Sequence, residues 1–154
     1  MKTNLQNIIL AETSFKRDRS LKPEDKLKLS TEIEIKHGIV RESFLIVEFI
    51  YNAYFYYSKK DKKNNQITYS SKHVAQFELS EFDINNNEDL LSAERFSNVN
   101  AAAMIFPFIR ENIATISAKA GMASLLIPIA NFITLYEEKK EKEKQKEDKA
   151  KNPK

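Results

Sequence analysis

Hydrophobic positions recur at helical spacing between Ala101 and Tyr136 and at strand spacing before that. Ala102, Ile105, Phe106, Ile109, Ile113 and Ile116 stand 3, 1, 3, 4 and 3 residues apart, which draws one apolar stripe along a 3.6-residue helix. Arg110, Glu111, Asn112 and Ser117 fall off that stripe. Pro107 has no amide hydrogen and crowds the carbonyl four residues earlier, so it belongs in the first helical turn or at a kink. Gly121, two residues after Lys119, suits a left-handed cap. The segment Met122–Ile129 is too short for a core helix and is broken by Pro128, so it reads as an apolar connecting loop. Loop backbone stays wet, so apolar side chains there either pack down on the sheet or face a partner. A last helix is expected from near Ala130 through Ile133 and Tyr136 into Glu137–Lys144. The Glu138/Lys142 and Lys139/Glu143 spacings add about 0.2–0.5 kcal/mol each at most. No apolar stripe continues past Tyr136, so a domain over 1–136 and a charged tail over 137–154, helical and then disordered, are expected.

Upstream the period changes to two. Ile8–Phe15 reads as a first strand, followed by a polar loop from Lys16 to Asp25. Leu27, Leu29, Thr31, Ile33 and Ile35 alternate with Lys28, Ser30, Glu32, Glu34 and Lys36, a strand with one wet face. His37-Gly38 marks a loop or bulge. Phe44–Tyr57 is largely apolar or aromatic at odd and even positions alike, with Glu48 and Asn52 among the even ones. With helices on only one side of an antiparallel sheet, the second face of such a strand must meet another chain, which predicts sheet-on-sheet homo-oligomerisation. The alternative is that its tyrosines decorate a wet face through their hydroxyls. Lys59–Asn65 is a polar hairpin turn. Ile67, Tyr69, Ser71, His73, Ala75, Phe77 and Leu79 alternate with polar residues, Val74 excepted, giving a fourth strand. Glu81–Asn87 is a loop, and Asn87 can cap a short helix from Glu88 to Phe96. The fold class is therefore α+β: four antiparallel strands with C-terminal helices packed on one face.

Composition narrows the function. The chain has 154 residues, 42% hydrophobic, enough for one domain with a core. It has no cysteine, no apolar leader after Met1 and no uninterrupted run of 18 apolar residues, as expected of a cytoplasmic protein without membrane insertion. Net charge is +3, and the tail alone holds eight lysines against six acidic residues, so no nucleic-acid partner is expected. His37 and His73 lack ligand-spaced neighbours, two glycines are too few for a phosphate cradle, and no Gly-x-Ser-x-Gly elbow occurs. Arg110 and Glu111 are adjacent, so on a helix they point about 100° apart and cannot act on one substrate atom. Neither catalysis nor a metal or cofactor is expected. What remains is binding surface: Phe49, Tyr51, Phe55, Phe77, Leu125, Leu126 and Ile129 are candidates to line a groove between sheet and connecting loop. An extended unfolded segment would lie there by apolar burial, at about 25 cal/mol per Å². The plain alternative for each residue is a place in the core.

Phe106-Pro107-Phe108-Ile109-Arg110-Glu111-Asn112-Ile113, a glycine about ten residues on, and Leu125-Leu126-Ile127-Pro128-Ile129-Ala130-Asn131-Phe132 resemble the C-terminal half of the bacterial export chaperone SecB. The resemblance reaches back to the first strand, through Leu5–Leu10 and Ser14-Phe15. It implies a homo-oligomer, a dimer or a dimer of dimers, that presents apolar grooves to unfolded polypeptide and holds it without ATP. In that family the docking surface for the export motor SecA is acidic; an ungapped alignment of the first strand places it at Glu12 and Lys16, and the resemblance in the fourth strand implies Ser71 and His73. Only Glu12 keeps a negative charge, which argues against SecA docking. Some SecB-like proteins instead serve one antitoxin of a toxin-antitoxin system, and this is the alternative reading.

Overall fold

Alternation over four segments makes one antiparallel sheet, and the helical stripe covers one of its faces. The computed structural model describes residues 1–22, 26–57 and 65–151. Strands β1 (Lys2–Arg17), β2 (Lys28–Val40), β3 (Phe44–Tyr56) and β4 (Ile67–Ser80) lie in the order β1-β4-β3-β2. The chain thus crosses from one sheet edge to the other between β1 and β2. Helices α1 (Asn87–Phe96) and α2 (Ala102–Lys119) are joined by a π-helical turn, Ser97–Ala101, and α3 runs Phe132–Lys151. The class is α+β, as the periodicity predicts. The Lys59–Asn65 turn lies almost wholly outside the described residues, as do 152–154 of the tail.

Register decides which side chains enter the core. Along β3, Leu45, Val47, Phe49, Tyr51, Ala53 and Phe55 are buried while the residues between are half-buried. β4 buries Ile67, Tyr69, Ser71, His73, Ala75, Phe77 and Leu79 on that same helix-facing side. From α2, Ala102, Ile105, Phe106, Ile109 and Ile113 come down on them. An aromatic cluster sits at the centre: Phe106 lies 6.2 Å from Phe49, 5.4 Å from Phe132 and 5.9 Å from Tyr51 between ring centroids.

Several boundaries differ from the sequence reading for identifiable reasons. β1 is longer than Ile8–Phe15 because its pairing with β4 slips at Gln6 and at Ala11, and each extra residue resets the alternation. His37 and Gly38 stay inside β2, paired with Val47 and Ile46. The turn falls at Arg41–Ser43, where Arg41 and Glu42 adopt φ of 52° and 59°. The cap of α1 is Asn86, one residue early, whose side chain accepts from the Glu88 amide at 2.9 Å. Pro107 lies inside α2, past its first turn. The π turn upstream is stabilised by side chains: the Ser97 hydroxyl donates to the Ala93 carbonyl at 2.7 Å and Asn98 Nδ2 to that of Glu94 at 2.9 Å. α3 continues to Lys151, beyond the expected Lys144.

Candidate functional site

The end of α2 fixes the apolar loop that follows it. Gly121 has φ of 73°; its amide donates to the Ala118 carbonyl, and the Met122 amide donates to that of Ser117 at 3.2 Å. These two bonds form a Schellman cap. Arg17, the last residue of β1, donates through Nη1 to the Ala120 carbonyl at 2.8 Å and through Nη2 to that of Leu21 at 3.0 Å. One guanidinium therefore ties the strand end, the β1–β2 crossover and the helix terminus together.

Beyond the cap, residues 122–131 form no helix or strand, yet they are pinned at three points. The buried Ser117 hydroxyl donates to the Ala114 carbonyl at 3.0 Å and accepts from the Leu125 amide at 2.9 Å. Arg110 Nε donates to the Ile127 carbonyl at 3.2 Å, and the Ile127 side chain is buried in the core. Either side of that anchor, Leu126 is 76% exposed and Ile129 81% exposed. Apolar side chains held outward on fixed backbone lose little entropy when a partner covers them. Ser117→Ala is expected to leave the Leu125 amide without its partner and to cost about 1–3 kcal/mol, measured by urea unfolding.

Beneath the loop lies a cavity of about 190 Å³, lined by Arg17, Leu21, Leu27, Phe55, Met122 and Leu125 among others. Of the seven residues proposed for a groove, Phe55 and Leu125 line this cavity and Leu126 and Ile129 stand exposed on its loop. Phe49, Tyr51 and Phe77 do not belong to an accessible groove. They face the helix layer and are at most 2% exposed, Phe77 with its ring 5.1 Å from that of Phe96. Leu21, Leu27 and Met122 were missed. Leu27 carried only a strand signal, Leu21 is an isolated apolar residue placed there by the crossover, and Met122 belongs to the apolar loop but is turned into the cavity by the cap.

The four positions assigned to motor docking do not share a surface. Glu12 and Lys16 are exposed on the open side of the sheet, whereas Ser71 and His73 are 1% and 3% exposed beneath the helices. The open face of β4 at that level carries Lys72 and Val74, paired with Glu12 and Ile9. Lys72 Nζ lies 3.6 Å from Glu12 and 3.9 Å from Glu48. A lysine between those two carboxylates weakens the negative potential that a basic partner would seek. This charged row also interrupts the second face of β3, where Phe44, Ile46, Ile50 and Tyr54 are half-buried rather than sealed.

His73 Nδ1 is buried without a hydrogen-bond partner among the described residues, and Ser71 Oγ is buried with only a poorly aligned contact to the Tyr69 side chain. Burial lowers the His73 pKa, against the smaller opposing pull of Glu111. The unfolded chain then takes up a proton that the folded chain resists, so stability is full above about pH 6.5 and falls as pH drops below it. Desolvation also lowers the His37 pKa, with Glu94 opposing, and acts in the same direction. His73→Leu is expected to keep only the His37 share of the slope in urea titrations between about pH 7.5 and 5.

Comparison with known proteins points one way. Residues 7–143 match the family model described as preprotein translocase subunit SecB. A stretch of 58 residues is 34% identical to the protein-export protein SecB of Anaplasma phagocytophilum, covering 36% of this chain and 37% of that relative. The chain thus spans little more than a third of that relative's length in the match. The solved structure of a Mycobacterium tuberculosis SecB-like chaperone, in complex with a peptide from an antitoxin, aligns with a TM-score of 0.67 at 18% identity. That alignment covers 83% of this chain and 90% of the other, a likeness of fold.

Proposed function

Because the chain belongs to the SecB family, we propose that it is an ATP-independent holdase that captures unfolded polypeptide at the pinned loop and the cavity below it. The observation that carries this reading is the exposure of Leu126 and Ile129 on backbone fixed by Ser117, Arg110 and Ile127. Apolar burial is non-directional, so it retains many sequences, while the cavity accepts one larger side chain as an anchor. Light scattering tests the reading. At an equimolar ratio the protein suppresses aggregation of a chemically unfolded test protein diluted from denaturant, without ATP; unchanged aggregation refutes it.

The oligomer belongs to the same proposal. The outer edge of β1 has no neighbouring strand among the described residues, and Leu5, Ile9 and Leu10 along it are 42%, 53% and 45% exposed. Met104 and Phe108 on α2 are also exposed. A 16-residue unpaired edge with apolar side chains invites pairing with a second copy. Multi-angle light scattering is expected to give a dimer or a dimer of dimers.

A second reading is a chaperone dedicated to one antitoxin, without motor docking. The observation favouring it is Lys72 set between Glu12 and Glu48 where a basic partner would need free carboxylates. Co-purification of one small partner in place of a mixed client population separates it from the first.

A further inference from the structure

Edge strand β2 turns Ile33 and Ile35 toward the helix layer, yet both stay half-buried. α3 passes beside them without closing on them. A gap of about 500 Å³ remains, lined by Ile33 and Ile35 from β2, Asn98 from the π turn, and Leu135, Tyr136 and Lys139 from α3. Packed interiors do not leave such space, so α3 stands off the strand.

Few contacts hold the helix there. At its start Phe132 is buried in the aromatic cluster, and the Asn131 side chain accepts from the Ile133 and Thr134 amides at 3.1 and 3.3 Å. Two turns on, Lys140 Nζ meets Glu94 of α1 at 2.5 Å, with both side chains mostly covered, and also lies over the Tyr136 ring. Beside it Lys139 Nζ donates to Asn98 Oδ1 at 3.3 Å. The hydrogen bond that Lys140 donates to Glu94 is the main cause of its raised pKa, so the lysine stays charged at neutral pH. Among the described residues, no hydrogen bond or ion pair ties α3 to the body beyond Lys140.

We propose that α3 is a latched cover: Phe132 is its hinge, the Lys140–Glu94 pair is its latch, and release frees the Ile33/Ile35 strip for an extended apolar segment of client. What enters the strip rests on the holdase reading; the latch itself does not. Among the described residues β2 is an outer strand of the sheet, so its backbone offers unpaired groups along the same line. An extended segment pairs with that edge while alternate side chains enter the gap, and about six residues span some 20 Å of it. Leu135 and Tyr136 form the opposite wall of that gap, so a client segment larger than the gap has to displace the cover.

The absence of cysteine makes the test direct. Spin labels at Glu34→Cys and Lys146→Cys, both lining the gap, report the separation of α3 from β2 by pulsed electron resonance. Lys140→Glu opposes two carboxylates and is expected to lengthen and broaden that distance. It should also tighten binding of reduced, carboxymethylated α-lactalbumin, a permanently unfolded probe, by about 3–5-fold, because the closed fraction no longer withholds the strip. Adding Glu94→Lys restores the pair in reverse and should return both readings to the parent values. An unchanged distance in Lys140→Glu overturns the latch, and a longer distance with unchanged probe affinity overturns the cover. If the parent binds no unfolded probe at all, the holdase reading fails, while the distance still decides the latch.

Discussion

Replacing Leu126 and Ile129 together by aspartate is expected to abolish retention of unfolded polypeptide and to leave the fold intact. Each side chain is more than three-quarters exposed, so neither contributes appreciably to the core. Surface substitutions of this kind usually change stability by no more than about 0.5 kcal/mol. Covering a large aliphatic side chain is worth about 1.5–3 kcal/mol, so losing each contact weakens binding about tenfold or more. Two carboxylates against an apolar guest add a desolvation cost in the same direction. Fluorescence anisotropy of a labelled unfolded chain reads the affinity, and urea unfolding reads the stability. Retention with undiminished affinity would remove the loop from the binding surface.

Phe106→Ala is expected to have the opposite signature. Its ring lies among Phe49, Tyr51 and Phe132 at the centre of the core and is 5% exposed. Truncating a buried phenylalanine costs about 3–5 kcal/mol through lost burial and the cavity left behind. Domains of this size have only about 5–15 kcal/mol in total. The urea midpoint should fall sharply, and client retention should fail only because folded protein is lost. Phe49→Ala should behave alike, since Phe49 packs on Phe106 and Phe132 in the same cluster. A variant that keeps its stability but loses client affinity would return Phe49 to the binding surface.

Pattern alone revealed much of this molecule. The 3.6-residue stripe from Ala102 to Ile113 marked the covering helix, and the period of two in β2 and β4 marked their buried faces. Gly121 announced its own left-handed cap, because no side chain competes for that conformation. Leu125, Leu126 and Ile129 stood out as apolar residues in a segment unable to form an element. Other features escaped. The slips at Gln6 and Ala11 hide half of β1, since alternation is legible only while pairing stays in register. The π turn arises from side-chain bonds of Ser97 and Asn98, a signal with no period.

The candidate site divides along the same line. Sequence determined which residues are greasy and which element each belongs to, because spacing fixes the face that a side chain shares with its neighbours. It could not say which apolar residues would be used up inside. β3 is aromatic on both faces, and only the arrival of α2 on one of them turned Phe49 and Tyr51 into core and left Ile46 and Ile50 half-covered beside Glu48. Likewise Ser71 and His73 differ from Lys72 by one residue, yet the pleat sends them under the helices and sends Lys72 to solvent. Local chemistry is a property of the chain, whereas burial is a relation between distant segments, and it exists only once the sheet, the helices and the loop pinned by Ser117 and Arg110 have closed on one another.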